Sequence, residues 1–268
     1  MTVSADGVPH PTGSAHPAGG AHPAGGAPDP AGGSAHPVGR GVPPMAAVLF
    51  DMDGTLFDSE PLWDVSLADL AEKLGGTLRP EIRRQVVGRN LRDSAQLVQD
   101  DLGVVADADE SAAWLLERTR ELFALGVPWR PGAQEVVASV RRSGVPTALV
   151  TSSHRVLVDE VLAQLEPGTF DTVVCGDEVS LPKPDPEAYL TAARRLGVDP
   201  RHCVALEDSP PGIAAALAAG CLVVAVPEGG TTGGTAGGTA GDGHGAVVME
   251  LADVTVDRLS SLLAARAG

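Results

Sequence analysis

Aromatic side chains make up only 3% of the 268 residues, so any core must be packed mainly from Ala, Val and Leu within a hydrophobic content of 43%, ordinary for a globular chain. Cysteine is scarce. Cys175, Cys203 and Cys221 form no CxxC pair, and an odd count leaves one thiol unpaired in any disulfide scheme, which excludes a disulfide scaffold. Cys203 and Cys221 border apolar runs and read as small buried residues in a reducing compartment. Positive charge is also short, 19 Lys and Arg against 35 Asp and Glu for a net of -16. That balance argues against a surface for nucleic acid or an anionic membrane, both of which select for dense positive charge. No run reaches the roughly 18 to 20 consecutive apolar residues that a membrane helix needs. These absences together lead us to expect a soluble, cytoplasmic protein.

Glycine and proline are plentiful but unevenly spread. Residues 1–44 hold 10 of the 33 Gly and 9 of the 22 Pro and no aromatic residue. Such a segment buries too little apolar surface to offset its ordering entropy, so a disordered tail is expected over residues 1–44. An Ala-His-Pro-Ala-Gly-Gly unit occurs at Ala15 to Gly20 and again at Ala21 to Gly26, with His10, His16, His22 and His36 scattered through the tail. Widely spaced histidines chelate weakly, so low-complexity sequence is favoured over a metal-binding tail. The basic start and apolar stretch of a secretory signal are absent. From Met45 onward 224 residues remain with a charge of -15 (18 basic, 33 acidic), a length suited to one catalytic core with an inserted subdomain.

Short apolar runs at Ala46 to Phe50, Thr147 to Val150, Thr172 to Cys175, Cys203 to Leu206 and Leu222 to Val226 read as buried strands. Between them lie helical spacings at Ala133 to Arg142, Val156 to Leu165, Glu187 to Leu196 and Ile213 to Ala219, several closed by Gly. This order predicts an α/β fold, a Rossmann-like parallel sheet wrapped by helices, whose chemistry collects beyond the carboxyl ends of the strands. One block interrupts it. From Glu60 to Val127 no strand-like run appears, Trp63, Leu67, Leu70 and Leu74 recur at helical spacing, and Asp107 with Glu110 resembles a capping box before Trp114 to Leu125. The expected organisation is a core of residues 45–59 and 129–268, a helical cap of residues 60–128 over the first strand, and a flexible Gly-rich loop at residues 229–245. That loop runs into Ala246 to Met249, which is strand-like, and so lacks the helix start a dinucleotide cradle requires.

Four polar clusters fall at predicted strand ends: Asp51-Met52-Asp53-Gly54-Thr55, Thr151-Ser152-Ser153, Lys183-Pro184-Asp185-Pro186 and Glu207-Asp208-Ser209. Singly, each has a bland alternative: a chance DxD, a helix cap, a solvated lysine, a polar turn. Together and in this order they are specific. From Met45 to its end the chain resembles the haloacid dehalogenase superfamily, in its phosphatase branch with a small helical cap. The resemblance implies that Asp51 is the nucleophile, Asp53 the general acid/base, and Thr151 and Lys183 the phosphate holders. It also implies Mg²⁺ as cofactor, with Asp51, Asp53, Asp208 and Glu207 as the candidate ligands. Gly54, Thr55 and Ser152 beside these groups, and Trp63 and Arg89 from the cap, complete the expected substrate site.

Elementary electrostatics agrees with such roles. Two anionic groups 4 Å apart repel by about 4 kcal/mol at an effective dielectric near 20, so carboxylates facing a phosphate dianion need Mg²⁺ and the Lys183 ammonium. The dehalogenase branch lacks the second Asp, which makes dehalogenation a poor reading. The segment Asp58 to Trp63 resembles the cap entrance of sugar-phosphate phosphatases and of β-phosphoglucomutase. The mutases typically carry a His where Trp63 falls and an Arg near Leu91, so hydrolysis is favoured over phosphoryl shuttling. Arg89 and Arg92 are the cap candidates for touching substrate, with a solvated surface arginine as the alternative for each. The expected activity is hydrolysis of a small phosphorylated metabolite, a sugar phosphate in the first instance, by a monomer. A protein that keeps the fold for binding or regulation alone is the reading from another class.

Overall fold

The computed structural model describes residues 44–86, 89–227 and 245–266. The expectations of a disordered tail over 1–44 and a flexible loop over 229–245 fall outside these, except at Pro44 and Gly245. The element order is β1 (Ala47–Phe50), four helices α1 (Glu60–Lys73), α2 (Pro80–Val86), α3 (Leu91–Leu102) and α4 (Ala108–Ala124), then α5 (Ala133–Arg142), β2 (Thr147–Val150), α6 (Arg155–Leu162), β3 (Thr172–Val174), α7 (Glu187–Leu196), β4 (Cys203–Glu207), α8 (Pro210–Ala218), β5 (Leu222–Ala225), β6 (Val247–Val248) and α9 (Val256–Arg266). All pairings are parallel, in the order β3-β2-β1-β4-β5-β6. This is the α/β architecture expected from the sequence, and it carries one helix, α9, that the apolar pattern had not suggested.

Alternation along the strands sorts side chains onto two faces. Val48, Phe50, Leu149, Val204, Leu206 and Val224 pack with α5, α6 and α9 through Val136, Leu157, Val161 and Leu259. Ala47, Leu49, Ala148, Val150, Ala205 and Val223 pack on the other face with α7 and α8 through Ala188, Tyr189, Ala192, Ala215 and Ala216. The small residues of this second layer let its helices approach the sheet closely. Helices α1 to α4 share a third cluster of Leu67, Leu70, Ile82, Val98 and Leu115. Their starts are specified locally, since Asn90 accepts from the Asp93 amide and Asp107 from those of Asp109 and Glu110. The two chain segments joining this block to the sheet are paired: the Asp58 amide donates to the Pro128 carbonyl at 2.9 Å and the Arg130 amide to the Leu56 carbonyl at 2.8 Å.

Cys175, Cys203 and Cys221 are all free and buried. Burial pushes each thiol up to about 12, so the thiolate that reacts with disulfide reagents is scarce. Native protein at pH 8 is expected to resist labelling by an aromatic disulfide, with three thiols titrating once it is unfolded. Rapid labelling of the native state would show that the core opens locally. Among the described residues no helix is long and apolar enough to cross a membrane.

Candidate active site

The strand order places β1 between β2 and β4: the chain builds outward from β1 through β2 to β3, then crosses back to β4 and builds the other way. Ligands of such sheets bind beyond the carboxyl ends at this switch. Asp51 follows β1 and its amide donates to the Leu206 carbonyl of β4 at 3.0 Å. Thr151 follows β2, Glu207 ends β4 and Asp208 comes next. Lys183 arrives from the loop before α7. Its ammonium donates to Asp51 Oδ1 at 2.7 Å, Glu207 Oε1 at 2.6 Å and the Val150 carbonyl at 3.0 Å. The three side chains are almost fully buried, at 5%, 8% and 0% exposure for Lys183, Asp51 and Glu207. Tyr189, the chain's only tyrosine, donates its hydroxyl to the same Glu207 Oε1 at 2.6 Å, and Ser209 Oγ donates to Glu207 Oε2 at 3.1 Å.

Carboxylate oxygens of Asp51, Glu207 and Asp208 lie within 4.8 Å of one another. Burial pushes Asp51 well above its usual range, Glu207 adds to this, and Lys183 pulls the other way. Burial, then Glu207, raises Asp208 to about 6. Burial alone would lower Lys183, but attraction to Asp51 and Glu207 leaves it raised. Three carboxylates facing one ammonium leave a net negative centre of hard oxygen donors, the donor set that suits a divalent cation. Thr55 Oγ1 donates to Asp208 Oδ1 at 2.9 Å. Gly54 has φ +75, and a Cβ there would run into the Asp208 carboxylate, so both the left-handed turn and the close approach require glycine.

Asp53 is held apart from that cluster. Its carboxylate accepts from Ser59 Oγ at 2.6 Å, Ser153 Oγ at 2.6 Å and Thr151 Oγ1 at 3.2 Å. Asp51, Thr55, Thr151, Lys183, Glu207 and Asp208 thus converge with Gly54 at one strand-end crevice, while the Asp53 side chain faces the hydroxyls rather than the other carboxylates. Ser152 is exposed at the rim. Of the two cap candidates, Trp63 packs edge-on to Phe123, centroids 6.2 Å apart, and its amide donates to the Ser59 carbonyl at 3.2 Å, while exposed Arg89 donates to the Gln85 carbonyl at 2.7 Å.

Sequence reasoning missed four contributors. Tyr189 reads from its position as a core residue of an Ala-rich helix, and Ser59 as a linker residue. Arg130 passes for a hinge arginine. Gly212 carries no signal at all, yet a Cβ there would collide with the Glu207 carboxylate.

The family profile for haloacid dehalogenase-like hydrolases matches residues 45–220. Among curated proteins the chain is 33% identical over 172 residues to a phosphorylated carbohydrates phosphatase of Thermotoga maritima, covering 64% of this chain and 80% of that one. It is 34% identical over 191 residues to hexitol phosphatase B of Escherichia coli K12, covering 66% and 82%. A solved Thermotoga maritima structure, named as a candidate β-phosphoglucomutase, superposes with a TM-score of 0.61 at 28% identity, covering 82% of this chain and 98% of that one. The aspartates of the first loop, the buried lysine and the acidic pair at the end of β4 all lie within the matched segment, and the chain belongs to the haloacid dehalogenase-like hydrolase family.

Proposed function

We propose that the protein is a Mg²⁺-dependent phosphatase acting on a small phosphate monoester of the phosphorylated-sugar class. The observation that carries this reading is the buried Lys183 joined to both Asp51 and Glu207 beside Asp208. Asp51 supplies the carboxylate oxygen that attacks phosphorus as the P–O bond to the substrate breaks, leaving an aspartyl phosphate. Asp53 donates a proton to the departing alkoxide and then takes one from the water that hydrolyses the acyl phosphate, restoring Asp51 and releasing phosphate. The hydroxyls of Ser59, Ser153 and Thr151 fix the position from which Asp53 exchanges that proton. Lys183 neutralises charge that develops on the phosphoryl oxygens. Asp51, Asp208 and Glu207 would hold Mg²⁺, which when bound screens the dianion and polarises its oxygens.

Hydrolysis is supported over phosphoryl shuttling by the cap. Trp63 packs on Phe123 and Leu91 against the helical cluster, so neither position offers an imidazole or a guanidinium to a second phosphoryl. The reported curated relatives carry phosphatase names. The decisive assay follows phosphate release from p-nitrophenyl phosphate and a panel of sugar phosphates, with Mg²⁺ and with chelator. No release from any ester in Mg²⁺ would refute the reading.

A pH dependence follows from Asp208. Its folded value of about 6 exceeds the usual 3.8, so without cation the folded state is penalised above pH 6 and gains stability as pH falls toward 4. A bound cation requires the ionised form, so the Tm increase produced by Mg²⁺ should be larger at pH 7.5 than at pH 5. An equal increase at both would show that Asp208 is not a ligand.

We also infer a monomer. At the edge strand β3 the Val173 carbonyl accepts from Arg155 at 3.3 Å and Arg195 at 2.5 Å, and both arginines pair with Glu178, which blunts that edge against pairing with another chain. Light scattering should give a mass near 27.2 kDa; twice that value would overturn the inference.

A further inference from the structure

We propose that Arg130 is a positioning residue for the catalytic loop, acting through the Gly54 peptide on Asp208. The guanidinium donates to the Gly54 carbonyl, to the Val226 carbonyl at 3.0 Å and to the Pro227 carbonyl at 2.8 Å. It therefore ties the loop after β1 to the loop after β5. Among the described residues it pairs with no carboxylate, so its donors are committed to main chain. A planar fork of N–H groups holds three separate carbonyls in a fixed geometry better than a rotating ammonium does.

Its place in the chain gives the clamp a second end. Arg130 lies in the segment that returns from α4 to the sheet, where its amide bonds the Leu56 carbonyl at 2.8 Å and the neighbouring Trp129 stacks on Phe57 with centroids 4.3 Å apart. The Gly54 amide donates back to the Phe57 carbonyl at 2.9 Å. Gly54 leaves no room for a Cβ beside Asp208, and Thr55 bonds that same carboxylate. Whatever fixes the peptide of residues 54–55 fixes the seat of Asp208, and the side chain that grips this peptide belongs to the return segment from the helical block.

This rests on the reading of Asp51 and Asp208 as the catalytic centre, and the experiment separates the two. Full-length Arg130→Met, which keeps length without donors, is compared with Arg130→Lys and wild type. Arg130→Met is expected to lower kcat for p-nitrophenyl phosphate about tenfold with KM within about twofold, because Thr151 and Lys183 are untouched. Calorimetric affinity for Mg²⁺ should fall about fivefold or more through the loosened ligand. Amide exchange in the peptide of residues 51–57 should accelerate, and Arg130→Lys should recover part of each loss. Kinetics, Mg²⁺ affinity and exchange all within about twofold of wild type in folded Arg130→Met would overturn the proposal. If that variant does not fold, Arg130→Lys decides: a loss of about threefold or more in kcat and Mg²⁺ affinity supports the clamp, and a smaller one overturns it. A wild type that hydrolyses no ester, with exchange at 51–57 still accelerated in the variant, would remove the phosphatase reading and leave the clamp standing.

Discussion

Asp51→Asn should abolish turnover while leaving a protein that is more heat-stable than the parent in cation-free buffer. The amide cannot attack phosphorus, and loss of a covalent nucleophile is expected to lower kcat by about 10³-fold or more, on the order of 4 kcal/mol in barrier. The stability gain has a separate cause. Burial and the neighbouring Glu207 push the Asp51 carboxyl well above its usual range, so ionising it costs the folded state more than the unfolded one. Asparagine is the neutral isostere and keeps an oxygen for the Lys183 bond at 2.7 Å. Steady-state kinetics and calorimetry read the two effects. Turnover near wild type would exclude Asp51 as nucleophile, and a lower Tm would mean that attraction to Lys183 outweighs the repulsion and desolvation.

Lys183→Met should have the opposite effect on stability and the same direction on rate. Removing the ammonium leaves Asp51, Glu207 and Asp208 facing one another without a cation, and breaking a buried pair of this kind typically costs about 3 to 5 kcal/mol. The Lys183 pKa is raised from 10.5, so its stabilisation is fully present at every pH below that ordinary value and does not itself vary near neutrality. The pH dependence of the mutational cost comes from Asp208, already raised to about 6 with the ammonium in place, and from Asp51, held well above its usual range. Both take up protons more readily once Lys183 no longer pulls them down. Urea unfolding at pH 7.5 and pH 5 should show the larger loss at pH 7.5. The rate should drop by roughly 10²- to 10³-fold through lost charge stabilisation of the phosphoryl oxygens. A variant as stable as wild type at pH 7.5 would show that the carboxylates relax apart or protonate without cost.

Much of this site is legible in the chain because its residues sit in short sequence-local units. Asp51 and Asp53 share a loop after an apolar run, and Glu207 and Asp208 close another such run. A strand end followed by acidic residues needs no tertiary information to be recognised. What joins the units is different. Lys183 and Glu207 are 24 residues apart and Arg130 and Gly54 are 76 apart; nothing local distinguishes either basic residue from a solvated one. Gly212 is invisible for the same reason, since its need for a bare Cα comes from a carboxylate on the preceding strand.

The sequence by itself determined the alternation of strands and helices, the helical block after β1 and the chemical types gathered at the strand ends. Apolar periodicity and local capping are short-range properties, which is why they survive without coordinates. Only the tertiary structure decided that Asp53 turns to three hydroxyls while Asp51, Glu207 and Asp208 crowd one lysine. It also decided that Trp63 packs on Phe123 and that a tyrosine completes the lysine's acidic pocket. Side-chain direction at these positions depends on strand order and on which layer each helix covers, and those follow from packing the whole sheet rather than from any one segment.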